Sequence, residues 1–314
     1  LADGYKIDGA HFTIPLPNTD PVVVGVQPTP LPDSTVKGQV FADMAPTNGA
    51  YDNSDLPLQG FQGHLFDLLG EVTTDVYGNP VCTTYVGEDP VTHEIPLDQL
   101  DADMLPVVDT IGGKCFSDAD GIVTFPHMGT NRYTQSVTPP DGQQWIQTTT
   151  LEGNHDWDTW VMEGSTGYDT EFAIAGEAVP TPLFGFAKPT RNGQPVSSGA
   201  GVTGEITGRI MKTLHYVPPK GGLFDLYWGF TGSKVMKPIP DGWLSLNDLT
   251  NGDQAVWVGQ AGSDGRFDIT GVPDGDYTLT WWDEAQNHLL ALQNVTVRNG
   301  QTEAIGTLPL SGWW

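Results

Sequence analysis

Thirteen residues, D-M-A-P-T-N-G-A-Y-D-N-S-D from Asp43 to Asp55, are the best candidate for chemistry in this chain. Calcium takes about six to eight oxygens, and carboxylates strung along one tight loop with a glycine at the bend supply them. Asp43, Asn48, Asp52 and Asp55 would give side-chain oxygens and Tyr51 a carbonyl. The same composition also makes a solvated loop of Asx turns. A second stretch, N-H-D-W-D-T-W from Asn154 to Trp160, reads as a surface insertion. There Trp157 and Trp160 could stack on sugar rings beside Asp156 and Asp158, or else cap one end of a sandwich. Trp228 and Trp282 are the matching candidates further along. Trp281 and Trp282 are adjacent on a strand and must face opposite sides, so one joins a core.

Other chemistry finds little support. The chain has no G-x-S-x-G, H-E-x-x-H or P-loop. Its seven histidines are scattered singly, so a multi-histidine metal site would need convergence in the fold. No catalytic residue is expected. Cys82 and Cys115 form no C-x-x-C pair, which argues against zinc or redox work. An isolated pair in a Thr/Gly/Pro-rich chain leans toward a disulfide and an oxidising compartment, against two buried thiols.

Something must position these loops, and composition says what. Of 314 residues, 39 are Gly and 25 are Pro, while 38% are hydrophobic. That is too apolar for a disordered chain and too rich in turn formers for a helical one. Lys and Arg number 13 against 39 Asp and Glu, a net charge of −26. Such a surface is repelled by nucleic acid and by anionic membranes. No apolar run approaches the ~20 residues that span a bilayer. The first residues lack a charged-then-apolar signal layout, so the expectation is either a removed signal or a piece of a longer chain.

One phrase occurs twice: S-D-A-D-G-I-V-T-F-P-H-M-G-T-N-R-Y (117–133) and S-D-G-R-F-D-I-T-G-V-P-D-G-D-Y (263–277). Each copy has an acidic turn ending in Gly, an alternating strand, a second tight turn and a Tyr opening the next strand. The expected result is the middle hairpin of an antiparallel sandwich. Period-two segments dominate the rest, with only Leu97–Leu105 able to form a short helical turn. An all-β chain of tandem Ig-like or prealbumin-like antiparallel sandwiches with long loop insertions follows. The expected boundaries are a Pro-rich segment at 1–33, a sandwich at 34–189, a linker at 190–202 and a second sandwich at 203–314. Val22–Val26 is the one strand-like run of the first segment. It is expected to be a strand of a preceding or neighbouring module. Residues 78–114 read as an insertion closed by the two cysteines.

On these motifs, residues 35–189 resemble the B-type repeats of bacterial surface proteins, the SdrD B-like or Cna-B-like group. The likeness rests on V-F-A-D at 40–43, the acidic loop, G-F-Q-G-H-L-F-D at 60–67, the repeated phrase and F-G-F-A-K-P at 184–189. Residues 203–309 resemble the carboxypeptidase regulatory-like (transthyretin-like) domain through G-R-F-D-I-T-G-V-P-D-G-D-Y-T-L and N-V-T-V-R-N-G-Q-T. The resemblance implies a secreted or cell-surface structural or adhesive module, part of a filament, sheath or stalk. Its partners would be neighbouring copies or domains of the same extracellular assembly. A carbohydrate-binding module using the Trp-bearing loops is the alternative, and a glycan-active enzyme a remoter one. Related B repeats often hold calcium at the place of the acidic loop, though here Ala-Pro-Thr interrupts it. Relatives also often carry a Lys–Asn isopeptide bond. Lys37 and Lys212 suit it, but the closing strands offer no Asn.

Overall fold

The computed structural model describes residues 5–7, 26–28, 33–149, 153–162, 178–199, 201–215 and 233–311. The described chain is all-β: one 3-10 turn at Leu97–Gln99 is its only helical element. Tyr5–Ile7 (β1) and Val26–Pro28 (β2) pair with each other. Of the expected Val22–Val26 strand, all but Val26 lies outside the described residues.

The next strands run β3 (Asp33–Ala42), β4 (Leu56–Pro57), β5 (Gln62–Asp67), β6 (Gly70–Glu71), β7 (Thr84–Tyr85), β8 (Val108–Thr110) and β9 (Cys115–Phe116). They continue as β10 (Ile122–Gly129), β11 (Asn131–Thr138), β12 (Ile146–Gln147), β13 (Trp157–Val161), β14 (Ala178–Val179) and β15 (Leu183–Ala187). One sheet has the order β10-β3-β15-β12 with β4 beside β3. The facing sheet has the order β14-β13-β11-β5-β6 with β9 beside β5. Val36, Val40, Phe61, Leu65, Val123, Phe125, Tyr133 and Phe184 fill the space between them.

The rest comprises β16 (Thr203–His215), β17 (Ser233–Pro238), β18 (Gly242–Asp248), β19 (Gln254–Gln260), β20 (Arg266–Pro273), β21 (Gly275–Asp283), β22 (Ala291–Val297) and β23 (Thr302–Ser311). One sheet joins β17, β20 and β23 around β16, and the other has the order β19-β18-β21-β22. Ile206, Ile210, Leu244, Leu246, Ile269, Leu279, Trp281 and Leu308 form their shared core.

The two halves repeat one wiring. The opening strand pairs antiparallel with the first strand of the duplicated phrase (β3 with β10, β16 with β20). It pairs parallel with the closing strand (β3 with β15, β16 with β23). The second strand of the phrase belongs to the opposite sheet: β11 pairs with β5 and β13, β21 with β18 and β22. The phrase is therefore a corner between sheets, not the expected hairpin. Alternation and a tight turn suit both geometries; the tyrosine decides. Tyr133 donates its hydroxyl hydrogen to Gly129 O (2.7 Å), and Tyr277 does the same to Pro273 O (2.9 Å), each reaching back over the turn. This is the tyrosine corner of Ig-like sandwiches.

The acidic turns also match. Asp118 Oδ1 accepts the N–H of Asp120 and of Ile122 (both 2.9 Å), and Asp264 Oδ1 that of Arg266 (3.1 Å). Gly121 (φ +76) and Gly265 (φ +77) press onto the opening strands, where a Cβ would lie 2.3 Å from Val40 O or Ile210 O. Only glycine tolerates both that φ and that approach.

Candidate functional site

The Asp43–Asp55 loop lies at the joint between the two sandwiches. It leaves the end of β3 and packs under β18 and β21. Thr47, fully buried, donates its hydroxyl hydrogen to Ser245 Oγ (2.9 Å), and its carbonyl accepts from Thr280 Oγ1 (2.6 Å). Met44 O accepts the Ala255 N–H (2.8 Å). Beside the loop, Thr190 and Val258 exchange both backbone hydrogen bonds (3.0 and 2.9 Å), and Gln286 Nε2 donates to Gln147 O. An apolar cluster completes the contact: Ile146 and Ala187 from the first half, Trp243, Val258 and Trp282 from the second.

The predicted ligands are occupied with each other. Asp43 Oδ1 accepts the Asn48 N–H (2.9 Å) and Oδ2 the Gly49 N–H (2.8 Å). Asn48 Oδ1 accepts the Ala50 N–H and its Nδ2 donates to Asp52 Oδ2, both at 2.8 Å. Asp55 Oδ2 accepts the Asp52 N–H (2.8 Å), leaving Asp55 Oδ1 as a buried oxygen without a hydrogen bond. Tyr51 lays its ring on Phe41, centroids 4.8 Å apart. Among the described residues no three His, Cys, Asp or Glu side chains gather as a metal would need. In this arrangement Asp43, Asn48, Asp52 and Asp55 each have a hydrogen-bond partner within the loop. Burial is the main force on Asp43 and pushes its pKa up to about 7, with Asp55 adding to it. The Thr148 hydroxyl and the N–H groups of Asn48 and Gly49 oppose the rise.

The aromatic candidates separate. Trp157 and Trp160 sit on β13, paired with β11, and not on a surface insertion. Trp157 is half-buried against the first core. Trp160 is 39% exposed, with the Arg132 guanidinium 5.9 Å above its ring. Arg132 also pairs with the Asp158 carboxylate. Trp282 is 1% exposed and belongs to the joint, so it has no face to offer a ligand. Its neighbour Trp281 fills the second core instead, as strand alternation requires. Trp228 lies outside the described residues. Cys82 and Cys115 form a disulfide, closing the insertion.

One cluster escaped the sequence reading. A cleft of about 1060 Å³ separates the insertion from the start of β3, lined in part by Asp33, Lys37, Tyr77, Glu88, His93 and His127. The rings of His93 and His127 lie 6.4 Å apart. They are 34 positions apart in the chain, and nothing local in either segment signals the meeting. The only pointer was the cysteine pair, which returns the insertion to the sandwich.

Comparisons with known proteins add distant likenesses to solved structures. No family model matches the chain, and no curated protein matches it. Among solved structures, it is similar to the minor pilin of Streptococcus agalactiae at 12% identity, over 89% of this chain and 96% of that one, with a TM-score of 0.24. A streptococcal ancillary pilin gives 13%, 96%, 69% and 0.27 in the same order. The shaft pilin of Lactobacillus rhamnosus GG gives 13%, 89%, 97% and 0.22. Scores of this size leave the fold to the sheets described above. Among the described residues, no helix is long and apolar enough to cross a membrane.

Proposed function

We propose that this chain is a structural module of an extracellular surface protein, in which two sandwiches act as one stiff body. Residues 34–189 would be an SdrD B-like unit and 203–314 a carboxypeptidase regulatory-like unit. The observation that carries this is the joint. A loop with a buried Thr and a buried Asp, two large Trp side chains and paired backbone hydrogen bonds make a seam packed like an interior. A flexible string of modules needs only a short Gly/Pro linker. Ordering this much polar and aromatic surface at the seam serves a role in holding shape. The disulfide suits an oxidising exterior. The acidic coat keeps a densely displayed surface hydrated and soluble. The role is mechanical and adhesive, not catalytic, and its partners are neighbouring copies or domains of the same assembly.

Small-angle scattering of the wild type and of Trp282→Ala is the test. A single rigid-body profile for the wild type, broadening into a two-body ensemble in the variant, supports the proposal. A wild type that already scatters as two independently moving bodies overturns it. Glycan binding is the second reading, favoured only by the exposed Trp160. Quenching of tryptophan emission by oligosaccharides, abolished in Trp160→Ala, would establish it in place of the first.

A further inference from the structure

His127 has a carboxylate at each ring nitrogen. Nδ1 lies 2.6 Å from Asp33 Oδ2, and Nε2 lies 3.5 Å from Glu88 Oε1. The ring is buried at 3% exposure, and Nε2 makes no hydrogen bond. A neutral imidazole has one donor and one acceptor nitrogen, so it would turn a lone pair on one of these carboxylates. Only the doubly protonated ring presents a donor to both. The backbone is arranged for this placement. His127 sits at a bulge in β10, between Phe125 and Met128, with φ +57. Bulges of this kind re-aim a side chain, and a left-handed histidine is uncommon.

The two carboxylates belong to different parts of the chain. Asp33 opens β3 of the sandwich, whereas Glu88 sits in the insertion that the disulfide closes. Glu88 also binds the insertion to itself: Oε1 lies 2.7 Å from His93 Nδ1, and Oε2 accepts the Tyr85 N–H (2.8 Å). Tyr77 and Tyr85 pack their rings against His127, with centroids 5.4 and 5.2 Å away. The Tyr85 hydroxyl donates to Asp75. The groups facing the imidazole are therefore Asp33, Asp75, Tyr77, Tyr85, Glu88 and His93, and Lys37 also lines the cleft.

We propose that residues 83–114 form a proton-operated strap over the cleft, held against the sandwich when His127 carries both ring protons and loosened when it loses one. Burial alone would make the ring easier to deprotonate. The hydrogen bond and charge of Asp33, with the charges of Glu88 and Asp75, outweigh it and raise the pKa. Asp33 stays beside the ring whether the strap is held or loose, so what couples the strap to the proton is Glu88: its charge favours the doubly protonated ring, and that hold is lost as pH climbs through the raised value. The strap is therefore held at the acid end and loosens as pH rises.

Hydrogen exchange of the full disulfide-bonded chain, from pH 6 to pH 10 and corrected for intrinsic rates, tests this. Wild-type peptides covering 86–110 should lose protection relative to β18 and β21 as pH rises. His127→Asn, whose side chain tolerates the left-handed backbone, should lack that step, and Glu88→Gln should reduce it. Protection that falls in parallel across insertion and strands overturns the proposal. So does a step that persists in His127→Asn, or one that appears only when zinc is added and vanishes with a chelator.

Discussion

Asp43 gives the sharpest prediction. Its carboxyl is fully buried at the joint, and burial lifts its pKa from near 4 to about 7. Because the folded value is the higher one, its contribution is complete below about pH 4 and is lost as pH rises through about 7. Three pKa units at 1.36 kcal/mol each make a change of about 4 kcal/mol, accumulated between about pH 4 and pH 7 and constant above. Asp43→Asn removes the charge but also one acceptor, since Oδ2 takes the Gly49 N–H. An amide nitrogen there leaves that buried donor unpaired, at a cost of about 1–3 kcal/mol. The variant should therefore be less stable than wild type near pH 4 by that amount. Near pH 8 the order should invert, the variant becoming more stable by roughly 1–3 kcal/mol. Urea titrations followed by tryptophan emission, run on both proteins across the range, read the difference. Effects of the −26 net charge are shared by both proteins and largely cancel. A gap that stays constant from pH 4 to pH 8 would refute the reasoning, because the carboxyl would then have no unusual proton affinity.

Four further outcomes are expected. Trp282→Ala should cost about 3–5 kcal/mol and split a single unfolding transition into two, read by calorimetry. Tyr133→Phe and Tyr277→Phe should each cost about 0.5–1.5 kcal/mol in denaturant midpoints, with no change in strand content by circular dichroism. Reducing the Cys82–Cys115 bridge, which spans 33 positions, should cost about 4 kcal/mol and expose the insertion to protease before the rest of the chain. Millimolar calcium should leave the melting temperature unmoved, since an ion at the 43–55 loop would have to displace hydrogen bonds already made; a saturable rise of several degrees would restore the ion.

How far the sequence could be read follows from range. Period-two alternation is a local signal, and it located β10, β11, β20 and β21 in the duplicated phrase, and the all-β class. The duplicated phrase was visible, but whether its strands stay in one sheet depends on partners far along the chain. The tyrosine position, two residues past Asn131 or Gly275, was the clue to the corner. The acidic loop looked like a cation site because its donor count is local. What seats the loop against the second sandwich is not local: Thr47 meets Ser245 and Thr280, some 200 positions on. Trp157 and Trp160 read as insertion because the polar spacing of N-H-D-W-D-T-W resembles a loop, yet pairing with β11 makes it a strand. The His127 cluster depends on a bulge and a disulfide acting together, and neither announces the other.

The parallel pairing of each opening strand with its closing strand has a consequence for a chain held at both ends. Tension then pulls the two strands along their length in opposite senses, so the rungs between them are loaded in shear and share the force instead of peeling one at a time. The β16–β23 ladder has nine such rungs, with one register shift between Thr207 and Gly208, and the β3–β15 ladder four. Under traction the first sandwich is the weaker grip, and the seam with Trp282 and Thr47 stands directly behind it.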